Sequence, residues 1–411
     1  MINIEEKKNC CGCSACVQAC PKQCIDFKPD TEGFLFPEVN ASVCIDCGLC
    51  ERVCPILNKN CSNKPRGVYA AINENEQIRY ESSSGGAFTA LAEVIIKDGG
   101  VVFGAKFDTD WGVIHGYTRT IDGLKAFRGS KYVQSEIRDS YIKVRQLLRD
   151  GVKVLFSGTP CQIAGLKSFL NKEYANLTTL DVVCHGVPSP RVWKDYLDAI
   201  KRPKGVKTGK NTVLLSLKNK PVITGISFRD KLNGWKKFGF SVRYSVGLQP
   251  AEKFGFEEEM TLREDARNNL FMLGFLKNFY LRQSCHDCKF RSGRSGSDIT
   301  LADFWGIQYV IPEIDDDKGV SLVLVNTDKG EKLLERTDIK KCSARYEDAF
   351  HWNHPIEQNT PLPIIRDYFW EEYERFGLCA VTKSIKKLQP TFIQKMQMRI
   401  VHLVRIILGK K

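Results

Sequence analysis

Two stretches decide how this chain begins to fold: Cys10-Cys11-Gly12-Cys13-Ser14-Ala15-Cys16-Val17-Gln18-Ala19-Cys20-Pro21 and Cys44-Ile45-Asp46-Cys47-Gly48-Leu49-Cys50-Glu51-Arg52-Val53-Cys54-Pro55. Each reads C-x2-C-x2-C-x3-C-P. Three thiols two residues apart can wrap one face of a polynuclear centre, while the fourth, opening the next helix, points away. Runs of this kind hold cubane iron–sulfur clusters, and in a duplicated run each fourth cysteine ligates the other centre. The pattern assigns Cys10, Cys13, Cys16 and Cys54 to one [4Fe–4S] cluster, and Cys44, Cys47, Cys50 and Cys20 to a second. Paired C-x2-C is also zinc spacing, but zinc sites seldom duplicate a four-cysteine run with its trailing proline.

Working outward, residues 25–27 and 34–36 flank a segment with Pro29, Asp30 and Gly33, which reads as two short strands and a turn laid over the centres. Solvent exposure helps set a cluster's potential, so an apolar cover matters. Cys11, Cys24 and Cys61 fall outside the ligand pattern and are expected as small buried residues. Residues 58–67, polar and containing Pro65, read as a linker. Residues 1–62 thus form a bacterial-ferredoxin-like module.

A chain of 411 residues has room for two or three domains with a sizeable core. Seventeen cysteines grouped at metal spacings in a chain this long argue for a reducing compartment rather than a secreted disulfide framework. The N-terminus lacks the basic and apolar regions of a signal peptide, and no apolar run reaches membrane-spanning length. A cytoplasmic protein is expected. The net charge of +13 is uneven. Residues 1–62 carry six basic and eight acidic side chains, whereas residues 375–411 carry nine basic and none acidic. A nucleic-acid groove spread over a domain would not concentrate charge on a tail, so nucleic acid is not expected as a partner.

Ser82-Ser83-Ser84-Gly85-Gly86 leads into a helical pattern over 87–97, stopped by Gly99 and Gly100. Such a turn is an anion site through its free N–H groups, or equally a plain cap with glycines for close packing. Strands are expected over 101–107, 113–117, 152–156, 178–183, 298–304 and 319–326, and helices over 135–150 and 262–281. Strand-then-helix alternation points to an α/β domain with sites in loops beyond strand ends. Residues 199–229 hold eight basic residues and no acidic one. That reads as a solvated lysine surface, or as a docking patch for an acidic redox partner. Over 391–408 a basic amphipathic pattern suits packing on the protein itself or contact with a membrane surface.

Cys161, Cys184, Cys285 and Cys288 each adjoin a strand-end loop or helix end. They suit a third iron–sulfur cluster, a redox-active C-x2-C pair, or zinc with His185, and spacing alone leaves the three open. Neither G-x-G-x-x-G nor a P-loop occurs.

Ser83-Ser84-Gly85-Gly86, Gly158-Thr159-Pro160-Cys161-Gln162, Cys184-His185-Gly186-Val187-Pro188, and Cys285-x2-Cys288 with Asp-Ile-Thr-Leu-Ala-Asp-Phe-Trp-Gly at 298–306 occur in this order. Together they resemble the coenzyme F420 hydrogenase/dehydrogenase beta-subunit family, over the span from Cys10 to about Arg366. The resemblance implies an α+β / α/β iron–sulfur flavoprotein that binds FAD without a Rossmann fold. It favours a third [4Fe–4S] cluster on Cys161, Cys184, Cys285 and Cys288, and makes Ser83, Ser84, Gly85 and Gly86 flavin-phosphate candidates. Lys131, Thr159 and Gln162 are further flavin candidates. The expected organisation is a dicluster module (1–62), a flavin-binding region (67–150), a C-terminal domain with the third cluster (151–370) and a basic tail (371–411).

The leading expectation is a flavin- and cluster-dependent oxidoreductase acting on a small molecule or a deazaflavin coenzyme. The alternatives are an electron-transfer subunit with no substrate of its own, and a zinc-stabilised binding module. No catalytic acid or base stands out, and family members act on different substrates.

Overall fold

The computed structural model describes residues 1–58, 61–201, 222–246 and 258–389. Strands β1 (Ile25–Pro29) and β2 (Leu35–Val39) form the expected antiparallel hairpin. Its turn is built by Asp30, whose Oδ1 accepts from the N–H groups of Glu32 (3.1 Å) and Phe34 (2.9 Å), and by Gly33 at φ +84°.

Eight further strands form one mixed sheet. In chain order they are β3 (Gly67–Asn73), β4 (Val101–Phe107), β5 (Val113–Thr118), β6 (Val154–Gly158) and β7 (Leu177–Val182), followed after a separate sheet by three more. The separate antiparallel sheet is β8 (Val222–Asp230), β9 (Gly239–Val246) and β10 (Glu258–Asp265). The last three are β11 (Ile299–Asp303), β12 (Ser321–Val325) and β13 (Ile339–Ser343). The large sheet runs β13-β3-β12-β11-β7-β6-β4-β5, so strands from 67–150 and from 151–370 share it. Its centre, β11-β7-β6-β4, is parallel. Central strands bury both faces: Val101, Phe103, Val154 and Phe156 enter one core, Val102 and Leu155 the other. That explains their near-continuous apolar character.

The N-terminal module shares a core with the sheet, for Cys11, Cys13, Ala15 and Val53 pack with Phe103, Tyr141, Phe156 and Ile163. Gly165 lets the helix Pro160–Leu170 approach, since a Cβ there would lie 2.8 Å from Cys13 Cβ. Gln18 Oε1 accepts from Tyr141 N–H at 3.0 Å. Glu32 and Arg366, both buried, form a bidentate pair.

Some expectations are corrected. Leu262 to Leu281 is not one helix: β10 runs to Asp265, and the short helix Leu270–Leu276 starts where Asn269 Oδ1 accepts from Met272 N–H (3.0 Å). The helix expected from Ser135 begins at Ser140, because Glu136 bridges to Ile114 and Arg138 has φ +50°. Cys11 and Cys24 are buried, but Cys61 is exposed. Residues 371–388 are no free tail, since Tyr373, Ala380 and Val381 enter the core beside Phe369. The rest of the expected tail, and most of the basic stretch 199–229, lie outside the described residues. Among the described residues no helix is long and apolar enough to cross a membrane.

Candidate functional site

Both cysteine runs adopt the same left-handed turns: Gly12 and Ser14 (φ +71° and +64°) correspond to Asp46 and Gly48 (+49° and +67°). These turns curl each run so that its thiols converge. The fourth cysteines cross over. Cys54 lies within electrostatic reach of Cys10 and Cys13, and Cys16 of all three. Cys20 instead lines a small cavity of about 20 Å³ with Cys44, Cys47 and Cys50. The first, inner set faces the large sheet. The second, outer set faces solvent, with Cys47 exposed and Cys24 Sγ 3.4 Å from Cys20 Sγ.

Parallel order places the remaining four cysteines. Cys161 and Cys184 follow the carboxyl ends of neighbouring strands β6 and β7, where open α/β sheets form their crevices. Cys285 and Cys288 approach from the turn beginning Gln283–Cys285. Cys184 is within electrostatic reach of Cys285, Cys161 and Cys288. All four line a cavity of about 700 Å³. Cys11 hydrogen-bonds both Cys13 and Cys161, so the inner and third sets are neighbours.

Burial pushes the Cys184 thiol well up, with the adjacent thiols adding to the effect. It likewise lifts Cys285 to about 12 and raises Cys288. Cys161 is the exception, held at about 7 chiefly by its hydrogen bond with Cys11. Crowded, desolvated thiols of this kind become ligands when a metal centre supplies compensating positive charge. Among the described residues no three His, Cys, Asp or Glu side chains are set to hold a single metal ion. The sets are spaced more widely than a mononuclear site, as a polynuclear cluster requires.

Two buried arginines flank these thiols. Arg282, fully buried, donates from Nε to the Cys10 carbonyl (2.8 Å), and from Nη2 to the Leu35 carbonyl (2.9 Å) and Cys10 Sγ (3.5 Å). Its guanidinium lies 4.3 Å from the Phe36 ring centroid and lowers the Cys10, Cys161 and Cys285 thiols alike. It therefore acts on both the inner and the third set. Arg291 donates to the His185 carbonyl (3.4 Å) and Thr360 Oγ1 (3.1 Å), and draws Cys184 and Cys288 down.

The flavin candidates are brought to the same cavity, with Ser83, Ser84, Gly86, Lys131, Thr159 and Gln162 in its wall. Gly85 packs into the sheet instead, because a Cβ there would lie 2.3 Å from the Ala71 carbonyl. Much of their polar capacity is spent within the protein. Ser83 Oγ accepts from Ser130 N–H (2.6 Å), Ser84 Oγ donates to the Val320 carbonyl (2.7 Å), and Ser321 Oγ takes the Gly85 N–H (3.0 Å). Gln162 accepts from Thr159 N–H (2.9 Å) and donates to Ser135 Oγ (2.9 Å). Lys131 Nζ donates to the Arg128 and Gly129 carbonyls, and desolvation lowers it to about 7. His185 is held by Asn278 Oδ1 (2.6 Å).

Other wall residues keep unpartnered buried atoms among the described residues: His115 Nδ1, Asp181 Oδ1, and Nε and Nη2 of Arg229. Sequence reasoning passed over these three. Arg229 sat in what read as a lysine-rich surface, and only its burial distinguishes it.

Duplicated turns, crossed fourth cysteines and a shared sheet define an iron–sulfur protein of the two-cluster type joined to an α/β body. Residues 9–57 match the family model described as a 4Fe-4S dicluster domain. Residues 151–345 match the model for the coenzyme F420 hydrogenase/dehydrogenase beta subunit, C terminus, and the chain belongs to that beta-subunit family. No curated protein sequence matches. Among solved structures, a chain of the F420-reducing [NiFe] hydrogenase complex from Methanosarcina barkeri is similar over 77% of this chain and 94% of that chain, at 14% identity and a TM-score of 0.45.

Proposed function

We propose that the chain is an iron–sulfur flavoprotein oxidoreductase with three [4Fe–4S] clusters, passing electrons between a redox partner and a small molecule. The observation that carries this reading is the single cavity of about 700 Å³ reached by all four thiols of the third set and walled by Ser83, Ser84, Gly86 and Lys131. Its volume suits a cofactor-sized ligand. A bound FAD would convert one-electron into two-electron transfer. The protein's own contribution is positional. Burial of the inner and third sets excludes water, Arg282 and Arg291 offset anionic charge, and Cys11 keeps the two sets adjacent.

The test is anaerobic iron, sulfide and flavin analysis of the purified full chain. About 12 iron per chain with bound flavin is expected, and about 8 without flavin overturns the reading.

A second reading, an electron-transfer subunit of a larger complex, is favoured by the surface around the outer set. Val43 and Ile45 are exposed there beside exposed Cys47. Exposed apolar side chains next to a redox centre suit docking of a protein partner. A stable complex that restores a partner's turnover, with none by the isolated chain, would select this reading.

A further inference from the structure

The guanidinium of Arg229 sits at the end of β8 in the wall of the large cavity, away from the cysteines. It is held on one side only. Nη1 donates to Asp303 Oδ2 (2.7 Å) and to Tyr132 Oη (3.3 Å). The other Asp303 oxygen accepts from Trp235 Nε1 (3.1 Å), so the carboxylate is spent on fixing this corner. Phe238 lies 4.0 Å from the guanidinium carbon, measured to the ring centroid, and Trp305 lies 5.1 Å away, itself stacked on Trp235.

What remains is the Nε/Nη2 edge, the fork that matches the two oxygens of a carboxylate or phosphate. Both atoms are buried and neither has a partner among the described residues. Leaving donors of a permanent cation desolvated and unpaired costs about 1–3 kcal/mol or more. A rigid, aromatic-walled cation with one fork open is how proteins prepare an anion site in advance of its ligand.

We propose that Arg229 receives the carboxylate or phosphate of a small-molecule ligand of the cavity, in a bidentate side-on contact between Phe238 and Trp305. The inference deepens the reading of the cavity as a cofactor and substrate site, and is independent of how many clusters the chain carries. Two sources share this chemistry, an anionic substrate and the phosphate groups of a bound flavin.

The experiment uses the purified full chain with its clusters. Thermal stability is followed with inorganic phosphate, pyrophosphate and succinate against chloride at matched ionic strength, and flavin content is read by absorbance. Comparisons are R229K, which keeps charge but loses the fork, and R229M/D303N, which removes both charges so that no buried carboxylate is stranded. Expected is protection of wild type by at least one of the anions, with apparent affinity at least tenfold weaker in both variants. Retained flavin with lost protection identifies a substrate anion. A several-fold loss of flavin at unchanged iron content identifies the flavin phosphates. If wild type lacks flavin altogether but anion protection still depends on Arg229, the flavin reading fails and this inference stands. Equal protection in wild type and variants with flavin unchanged, or no protection of wild type with flavin unaffected in the variants, overturns it.

Discussion

The inner and outer cysteine sets share one sequence run and one backbone conformation, yet occupy opposite environments. Around the outer set, Cys47 is exposed and Asp46 projects into solvent with 82% of its side chain accessible. The inner set has Cys13 and Cys16 buried, an apolar core behind it, and the Arg282 guanidinium against Cys10. Duplication therefore yields two equivalent cages, and docking onto the sheet makes them electrically different. Burial alone makes an anionic centre harder to reduce, and the buried cation works against that.

The contrast is broken most severely at the ligands themselves. C13S is expected to lose about four iron and also to disrupt the core shared with Phe103 and Phe156, whereas C47S should lose about four iron and keep the fold. Iron analysis beside thermal unfolding checks this, and equal falls in Tm would erase the distinction between the two sets.

Next in size is the tie that seats the module. E32A strands the buried Arg366 guanidinium, and a loss of about 3–5 kcal/mol is expected in denaturant unfolding. The outer centre should be spared, so its EPR signal should be unchanged under native conditions.

Acid acts on the sheet behind the inner set. His115 stacks on Phe156, its Nε2 faces the Ser157 carbonyl at 3.0 Å, and burial lowers it to about 4. Because the folded pKa lies below the unfolded one, its stability contribution is full above pH 6.5 and is lost as pH falls from there toward 4. Between pH 6.5 and 5 the loss is about 2 kcal/mol. Substituting H115Q should flatten that part of the stability profile relative to wild type; an unchanged slope would remove His115 from the account.

The finest effect is on potential. R282Q should make the inner centre harder to reduce, with at least a tenfold fall in its reduced-to-oxidised ratio at fixed potential, or about 59 mV for one electron. R282K should recover part of the shift, and the outer centre should not move. EPR-monitored titration reads both centres in one sample.

Periodicity and turn chemistry made much of the scaffold legible. The helix Ala87–Lys97 and the strands β4 and β5 followed from apolar spacing bounded by glycines. The stretch from Leu262 to Leu281 was misread because short apolar runs satisfy strand and helix periods alike, although Asn269 carried the cap signal. The two arginines were not legible at all. Nothing local separates Arg229 from its basic neighbours or Arg282 from a surface residue.

By itself the sequence determined the twin cages, because ligand spacing along a chain is covalent and survives any arrangement of the rest. It also supplied Cys161, Cys184, Cys285 and Cys288 as thiols beside strand ends. Only the tertiary structure decided that these four meet at one cavity, that one cage is buried and the other wet, and which cations stand beside them. Those are matters of desolvation and distance between residues far apart in sequence, and they exist only once the sheet has formed and the module has docked on it.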